Sequence, residues 1–199
     1  MDSITDEYGE IGKPLVYFKG NLVVLEKSND LEPEAYFGGD LPQVSNLPTS
    51  AKIHPLFTLK REILDAFDSI QFESLPLVYP FMHDGGSIKY QIKNDGDIEV
   101  QSILPEVLED DWPYEDYPTS FPKVSFKLQT AIKMEFEELE DLLPQGLYAN
   151  NREEIIVVIP PNEDYGVSLW GEHGDVENVL CVFSICPKTG NVYADNQCS

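Results

Sequence analysis

Residues 15–25 read LVYFKGNLVVL, two apolar runs separated by the polar turn Lys19-Gly20-Asn21. Gly20 and Asn21 accept the positive φ of a tight turn more readily than most residues, so the segment predicts a β-hairpin. Both runs are apolar throughout, whereas a strand with one solvated face alternates between apolar and polar residues. We therefore expect both faces of this hairpin to be covered, which places it in the core of a β-rich fold.

Alternating apolar and polar residues predict further strands at 88–92 and 98–103, joined by a hairpin turn at Asn94-Asp95-Gly96. Together with a strand at 77–81, they predict a three-strand meander. The β-branched run at 155–159 ends at two prolines and predicts a central strand. Apolar patterning predicts other strands in the second half of the chain, at 124–128, 167–170, 179–185 and 191–194.

Two segments show helical periodicity. A helix over 58–70 is predicted by the apolar residues Leu59, Ile63, Leu64, Phe67 and Ile70. A second helix, ended by Pro144 and Gly146, is predicted by Ile132, Phe136, Leu139 and Leu143. The elements together predict an α+β fold, a predominantly antiparallel sheet of roughly seven to ten strands with about two helices packed on it.

The chain has 199 residues, enough to bury a substantial core without disulfides or metal. Residues 1–13 are acidic and polar and predict a flexible N-terminus on the surface. We expect residues 14–199 to form a single α+β domain. A division into two lobes near 104–122, where proline and acidic residues concentrate, is the alternative.

A Gly-Gly and Leu-Pro pattern precedes one apolar strand, in Phe37-Gly38-Gly39-Asp40-Leu41-Pro42, Leu47-Pro48 and Pro55-Leu56-Phe57-Thr58-Leu59. In this short part of the chain the sequence resembles the YwqG-like family of uncharacterised bacterial proteins. The resemblance implies a mostly antiparallel α+β domain and no activity. The chain departs from the family pattern at Lys60-Arg61-Glu62, where a Gln-Ile pair is expected.

The formal net charge of -23 at pH 7 comes from 36 acidic and 13 basic residues. Designed small domains stay soluble with net charges of about 2 to 8 in magnitude, so this charge exceeds what solubility requires. It repels nucleic acids and anionic membranes, and it favours a basic protein, a polyamine or a divalent cation. With 42% hydrophobic residues, the chain is not a disordered acidic tail. Acidity that serves only solvation is the alternative.

Three features predict a cytoplasmic location. The cysteines, Cys181, Cys186 and Cys198, are odd in number, which argues against a secreted disulfide scaffold. The N-terminal residues lack the basic and apolar regions of a signal peptide. No apolar run approaches the roughly 20 residues of a membrane helix.

Segment 106–117, EVLEDDWPYEDY, places six carboxylates among one Trp and two Tyr residues. Prolines within and beside it disfavour a continuous helix or strand, so it predicts a surface loop. The aromatic residues offer contact area and the carboxylates steer a cationic partner. The predicted partner-binding residues are Glu109, Asp110, Asp111, Trp112, Tyr114, Glu115, Asp116 and Tyr117. In the alternative interpretation, the aromatic residues pin the loop to the domain and the acidic residues solvate it.

No nucleophile motif or phosphate-binding glycine loop occurs, so no catalytic residue and no cofactor are predicted. The leading hypothesis is a non-enzymatic binding protein that masks a basic protein, as an immunity protein masks a toxin. A metal-dependent hydrolase is the first alternative; its ligands would be His83, Asp84, His173 and Asp175, although no metal-binding spacing supports it. The second alternative is a structural or scaffold domain without small-molecule chemistry.

Overall fold

The computed structural model describes residues 4–5, 11–48, 51–67, 70–81, 86–93, 96–104, 117–147, 152–170 and 179–198. In these ranges the first strands are β1 (Leu15–Phe18), β2 (Asn21–Lys27), β3 (Ala35–Phe37), β4 (Val44–Ser45), β5 (His54–Lys60) and β6 (Ser74–Tyr79). The later strands are β7 (Ser87–Ile92), β8 (Ile98–Leu104), β9 (Val124–Lys133), β10 (Ile155–Ile159), β11 (Val179–Ile185) and β12 (Asn191–Cys198). The α-helices α1 (Arg61–Leu64) and α2 (Phe136–Glu140) are short.

All of these strands belong to one 12-stranded sheet of order β4-β8-β7-β12-β11-β10-β1-β2-β9-β3-β5-β6. Neighbours pair antiparallel, except that β4 runs parallel to β8. The predominantly antiparallel sheet with two helices is thus confirmed, with more strands than the expected seven to ten. β8 and β9, on either side of the acidic segment, lie in the same sheet.

The central strands bury both faces. In β1, Val16 and Phe18 join the larger core cluster, whereas Leu15 and Tyr17 join a second cluster on the opposite face. The same alternation runs through β2, β10 and β11, and the second cluster is completed by apolar residues of α2. Two-sided burial explains why these strands are apolar throughout. The expectations of a covered hairpin at 15–25 and a central strand at 155–159 are confirmed.

The turn between β1 and β2 differs in detail from the prediction. Lys19 and Gly20 take positive φ angles of 48° and 78°. Asn21, which was expected to share that role, already pairs with Phe18 as the first residue of β2. A two-residue turn with both φ angles positive matches the twist of the strands. This match favours a turn of Lys19 and Gly20 over a longer loop that includes Asn21.

The predicted meander is confirmed for β7 and β8 and wrong for the strand before them. β6 pairs with β5 at the opposite end of the strand order, not with β7. The two strands meet instead through a side chain, because the Tyr90 hydroxyl accepts from Val78 N–H at 3.3 Å and donates to the Pro76 carbonyl at 3.3 Å. Strand β6 therefore packs near β7 across the core without pairing with it.

The predicted helices are too long, and one predicted strand is wrong. Residues 54–60 form β5, so Leu59 lies in a strand, and α1 covers only Arg61–Leu64. A fully buried strand and a helix face can both place apolar residues four apart, which explains the error. Ile132 likewise lies in β9, and α2 begins after a capping box formed by Glu135 and Glu138. Residues 167–170 contain a bend and a turn and do not form a strand.

In the N-terminal segment, Ile4 and Ile11 are buried in the second core cluster rather than loose on the surface. An isolated bridge joins Thr5 to Ile11, and Gly12 N–H donates to the Ile4 carbonyl at 3.3 Å. These two isoleucines are the large apolar residues in the described part of this segment, and both are buried. Among the described residues, no helix is long and apolar enough to cross a bilayer.

Candidate functional site

Most of the predicted site residues lie outside the described residues. Of the predicted partner-binding residues, only Tyr117 is described, and 109–116 are not. The four candidate metal ligands, His83, Asp84, His173 and Asp175, are also outside. Both site predictions therefore stay predictions. The described residues at the ends of these segments, however, have a definite arrangement.

A cluster of six rings, here called the aromatic anchor, lies at these ends. Its members are His54, Tyr79, Phe81, Tyr117, Phe121 and Trp170, and all six are buried. Phe81 is central, since its ring centroid lies 4.8 Å from Tyr79, 5.1 Å from Trp170 and 5.5 Å from Phe121. Most neighbouring pairs are tilted or edge-on, the arrangements that aromatic quadrupoles favour.

Tyr117 fixes the end of the acidic segment to this anchor. Its hydroxyl donates to the Leu169 carbonyl at 2.7 Å, and its ring meets that of His54 edge-on at 5.5 Å. Only 8% of the residue is exposed. Burial raises the pKa of the phenol far above its ordinary value, so it stays a neutral donor. This is the role that the alternative interpretation gave to the aromatic residues of the segment.

The ends of three segments, 82–85, 105–116 and 171–178, lie together at the anchor. Segment 82–85 runs between Phe81 and Gly86, whose carbonyl accepts from the Tyr79 hydroxyl. Trp170 Nε1 donates to the carbonyl of Val179 at 2.9 Å. This bond joins the residues that directly precede and follow segment 171–178. Segment 105–116 begins after Leu104, which pairs with Ser87, the neighbour of Gly86. The described residues thus bring the ends of the acidic segment and of both histidine segments to one place.

Acidic and basic residues are unevenly distributed between these three segments and the rest of the chain. The three segments contain ten of the 36 acidic residues and none of the 13 Lys and Arg residues. All 13 basic residues lie in the described ranges, where several neutralise acidic neighbours, for example Lys27 with Asp164 at 3.2 Å and Arg61 with Asp65 at 2.6 Å. These three segments therefore carry ten of the 23 unbalanced negative charges, a much higher density than in the rest of the chain.

The Gly-Gly pair has a structural role beside the anchor. Phe37 stacks on Tyr165 at 4.1 Å and on Phe121 at 5.3 Å, and Phe121 stacks on His54 at 4.9 Å, which makes a continuous column of four rings. Gly38, at φ 64°, lies against this column, where a Cβ would overlap the Pro122 carbonyl and approach Phe121 Cβ to 3.0 Å. Sequence reasoning found the glycines but could not find the column, because its rings come from distant segments.

No metal site is formed by the described part of the chain, which contains no group of three or more His, Cys, Asp or Glu residues able to hold an ion. The three cysteines are free thiols. Cys181 is buried in β11, and burial raises the pKa of its thiol. Partial burial also acts to raise the pKa of Cys186, but hydrogen bonds from Thr189 and Lys188 outweigh it, and the pKa falls below the ordinary thiol value.

Comparison of the chain with family models, with curated proteins and with solved structures found no match. The YwqG-like resemblance of residues 37–59 therefore stays an expectation. What the structure defines is a class of fold, an extensive antiparallel sheet whose aromatic anchor gathers the ends of three acidic segments.

Proposed function

We propose that this protein is a non-enzymatic acidic binding protein that masks a basic protein partner, in the way that an immunity protein masks a toxin in a bacterial cytoplasm. The observation that carries the proposal is the concentration of ten acidic residues and no basic ones in three segments whose described ends meet at the aromatic anchor. Glu109, Asp110, Asp111, Glu115 and Asp116 are the proposed charged contacts.

Clustered acidic residues would speed the association with a basic protein. Like charges in one region sum to a field that extends about a Debye length, roughly 8 Å at physiological salt, and attracts an oppositely charged surface before contact. This attraction raises the association rate and rejects anionic molecules such as nucleic acids. Trp112 and Tyr114 are the proposed aromatic contacts, which would supply the short-range binding energy that exposed ion pairs supply poorly.

The anchor supports the proposal by limiting the cost of binding. A segment with both ends fixed loses less conformational entropy on binding than a free tail, and affinity rises accordingly. Tyr117, through its bond to the Leu169 carbonyl, fixes one end, and the pairing of Leu104 with Ser87 fixes the other.

A charge-matched pair of variants tests the proposal. The test variant carries Glu109→Gln, Asp110→Asn, Asp111→Asn, Glu115→Gln and Asp116→Asn. The control removes five exposed charges elsewhere, by Glu32→Gln, Asp40→Asn, Glu62→Gln, Asp141→Asn and Glu163→Gln. A basic protein should be recovered stoichiometrically with the wild type at about 50 mM salt, where screening is weak. We expect its affinity to fall at least about tenfold in the test variant and much less in the control.

The proposal fails if no stoichiometric basic protein is recovered, or if both variants weaken binding equally. Equal weakening would mean that net charge alone attracts the partner.

A metal-dependent hydrolase using His83 and His173 is the second candidate, favoured by one observation. Phe81 and Trp170, which directly precede the two histidine segments, contact each other at 5.1 Å. Metal analysis of the purified protein separates the candidates, since the hydrolase requires about one bound ion per chain, which the double variant His83→Ala, His173→Ala would lose. A scaffold domain, the third candidate, would show neither a bound metal nor charge-dependent binding.

A further inference from the structure

We infer that His54 is an acid-sensitive pin, whose protonation releases residues 117–121 from the aromatic anchor. The inference goes beyond the proposed function and does not depend on it, because it concerns how the described end of the acidic segment is held rather than what the segment binds.

The pin is built from one hydrogen bond and three ring contacts. His54, at the start of β5, is 1% exposed. Its Nε2 lies 2.9 Å from the Pro118 carbonyl, which can only accept, so Nε2 carries the proton of the neutral ring. Its ring stacks on Phe121 at 4.9 Å and meets Tyr117 and Phe81 edge-on at 5.5 and 5.8 Å. His54 therefore contacts three residues of the 117–121 segment, Tyr117, Pro118 and Phe121.

The second ring nitrogen makes this pin sensitive to protons. Nδ1 is buried and has no hydrogen-bond partner among the described residues. In the neutral ring it is an acceptor, and leaving it unpaired is tolerable. Protonation would turn it into a charged donor without an acceptor, at a cost far above that of a neutral unpaired group.

The charged groups around His54 do not offset this cost in the described part of the chain. Burial is the main cause that lowers the pKa of His54, and the nearby Lys52 ammonium lowers it further, against the opposing effect of the Pro118 carbonyl. On the packing segment, Tyr117 presents a phenol that burial keeps neutral. Phe81 and Phe121 carry no charge. The acidic residues of 105–116, which precede this segment, lie outside the described residues.

The direction of the pH dependence follows. When the segment is released, His54 regains an ordinary pKa of about 6.5 and takes up a proton more readily than in the anchored state. Anchoring is therefore unaffected well above pH 6.5 and weakens as the pH falls from there toward the lowered pKa of the anchored state. Ordinary carboxylates titrate near pH 4, so the interval between about pH 6.5 and 5 reports mainly on the histidines. Burial raises the pKa of Asp195, and its protonation favours the folded state, which is opposite in sign to the effect expected of His54.

The experiment uses the full chain with Trp112→Phe, which leaves Trp170 in the anchor as the single fluorescent indole. Urea unfolding and Trp170 emission are measured between pH 7.5 and 5, and the pKa of His54 is measured by NMR. We expect the unfolding equilibrium constant to rise up to about tenfold for each pH unit below 6.5, the limit for one proton. We expect Trp170 emission to shift over the same interval.

Two variants assign the effect. His54→Phe keeps an aromatic ring and removes the titrating group, so most of the pH dependence should disappear. The double variant His83→Gln, His173→Gln should retain it. If His54→Phe does not fold, the NMR titration of the wild type decides alone, with a His54 pKa below about 6.5 expected. A pKa at or above that value, or full pH dependence in His54→Phe, overturns the inference.

Discussion

Gly38 determines how closely the chain after Phe121 approaches β3. Its φ of 64° and the nearby Pro122 carbonyl leave no room for a side chain, and this closeness allows Phe121 to stack between Phe37 and His54. A single residue without a side chain thus sets the geometry of the ring column. The column in turn positions residues 117–121, which follow the acidic segment.

We predict that Gly38→Ala lowers the free energy of unfolding by about 3 kcal/mol or more, because strain at positive φ and steric overlap with the Pro122 carbonyl add together. Gly166→Ala is the matched control, since its φ of 69° is similar and nothing lies within 4 Å of the added Cβ. The control should cost only about 1 kcal/mol, from backbone strain alone. Urea unfolding of both variants measures the difference, and equal costs would show that the overlap is relieved by a small shift.

For single residues, the sequence predicted backbone conformations set by neighbouring residues but not side-chain contacts with distant segments. The positive φ of Gly20 was predicted because a two-residue turn depends on local sequence. The role of His54 was missed, since its contacts with Phe81, Pro118 and Phe121 come from segments far apart in the chain. One signal was present in the sequence, a histidine within an apolar run that became β5.

At the scale of elements, the contact between β6 and β7 depends on a side chain, whereas β6 takes its place in the sheet by pairing with β5. Tyr90 extends from β7 to the backbone of β6, and its hydroxyl satisfies Val78 N–H and the Pro76 carbonyl. Burial raises the pKa of this phenol, which keeps it protonated and able to donate. Two hydrogen bonds that no strand pattern predicts therefore link β6 to β7 across the core.

We predict that Tyr90→Phe lowers the free energy of unfolding by about 1–3 kcal/mol, because it removes the hydroxyl that is hydrogen-bonded to two buried backbone groups. Tyr165→Phe is the control. Tyr165 is equally buried, at 0% exposure, but its hydroxyl has no hydrogen-bond partner among the described residues. The control should be neutral or slightly stabilising, since it removes an unsatisfied polar group. Thermal unfolding of the two variants compares them, and a neutral Tyr90→Phe would contradict the proposed bridge.

The element predictions succeeded where pairing is local and failed where it is not. The β1–β2, β7–β8 and β11–β12 hairpins were predicted, because each has a short turn and a strand on either side. The last three residues of β5, 58–60, were predicted as the start of a helix over 58–70, because the pairing of β5 with β3 and β6 is a property of the assembled sheet. Pairing partners distant in sequence leave no periodic signal.

At the scale of the whole molecule, the core of the sheet and the aromatic anchor have different roles. The central strands bury both faces and provide stability, while the rings at the anchor gather the ends of the acidic segments. The sequence predicted an antiparallel α+β fold from its alternating patterns and an acidic binding surface from its composition. It could not predict that the described ends of three acidic segments lie together, because this depends on the order of the strands.

The most direct test of the proposed function is the association rate with the recovered basic partner, measured by stopped-flow at increasing salt concentration. If the clustered acidic residues steer the partner, the rate should fall about tenfold or more between roughly 50 and 300 mM salt, and the variant neutralised at residues 109–116 should lose most of that dependence. A wild-type rate that does not change with salt would contradict the proposal that acidity is the basis of recognition.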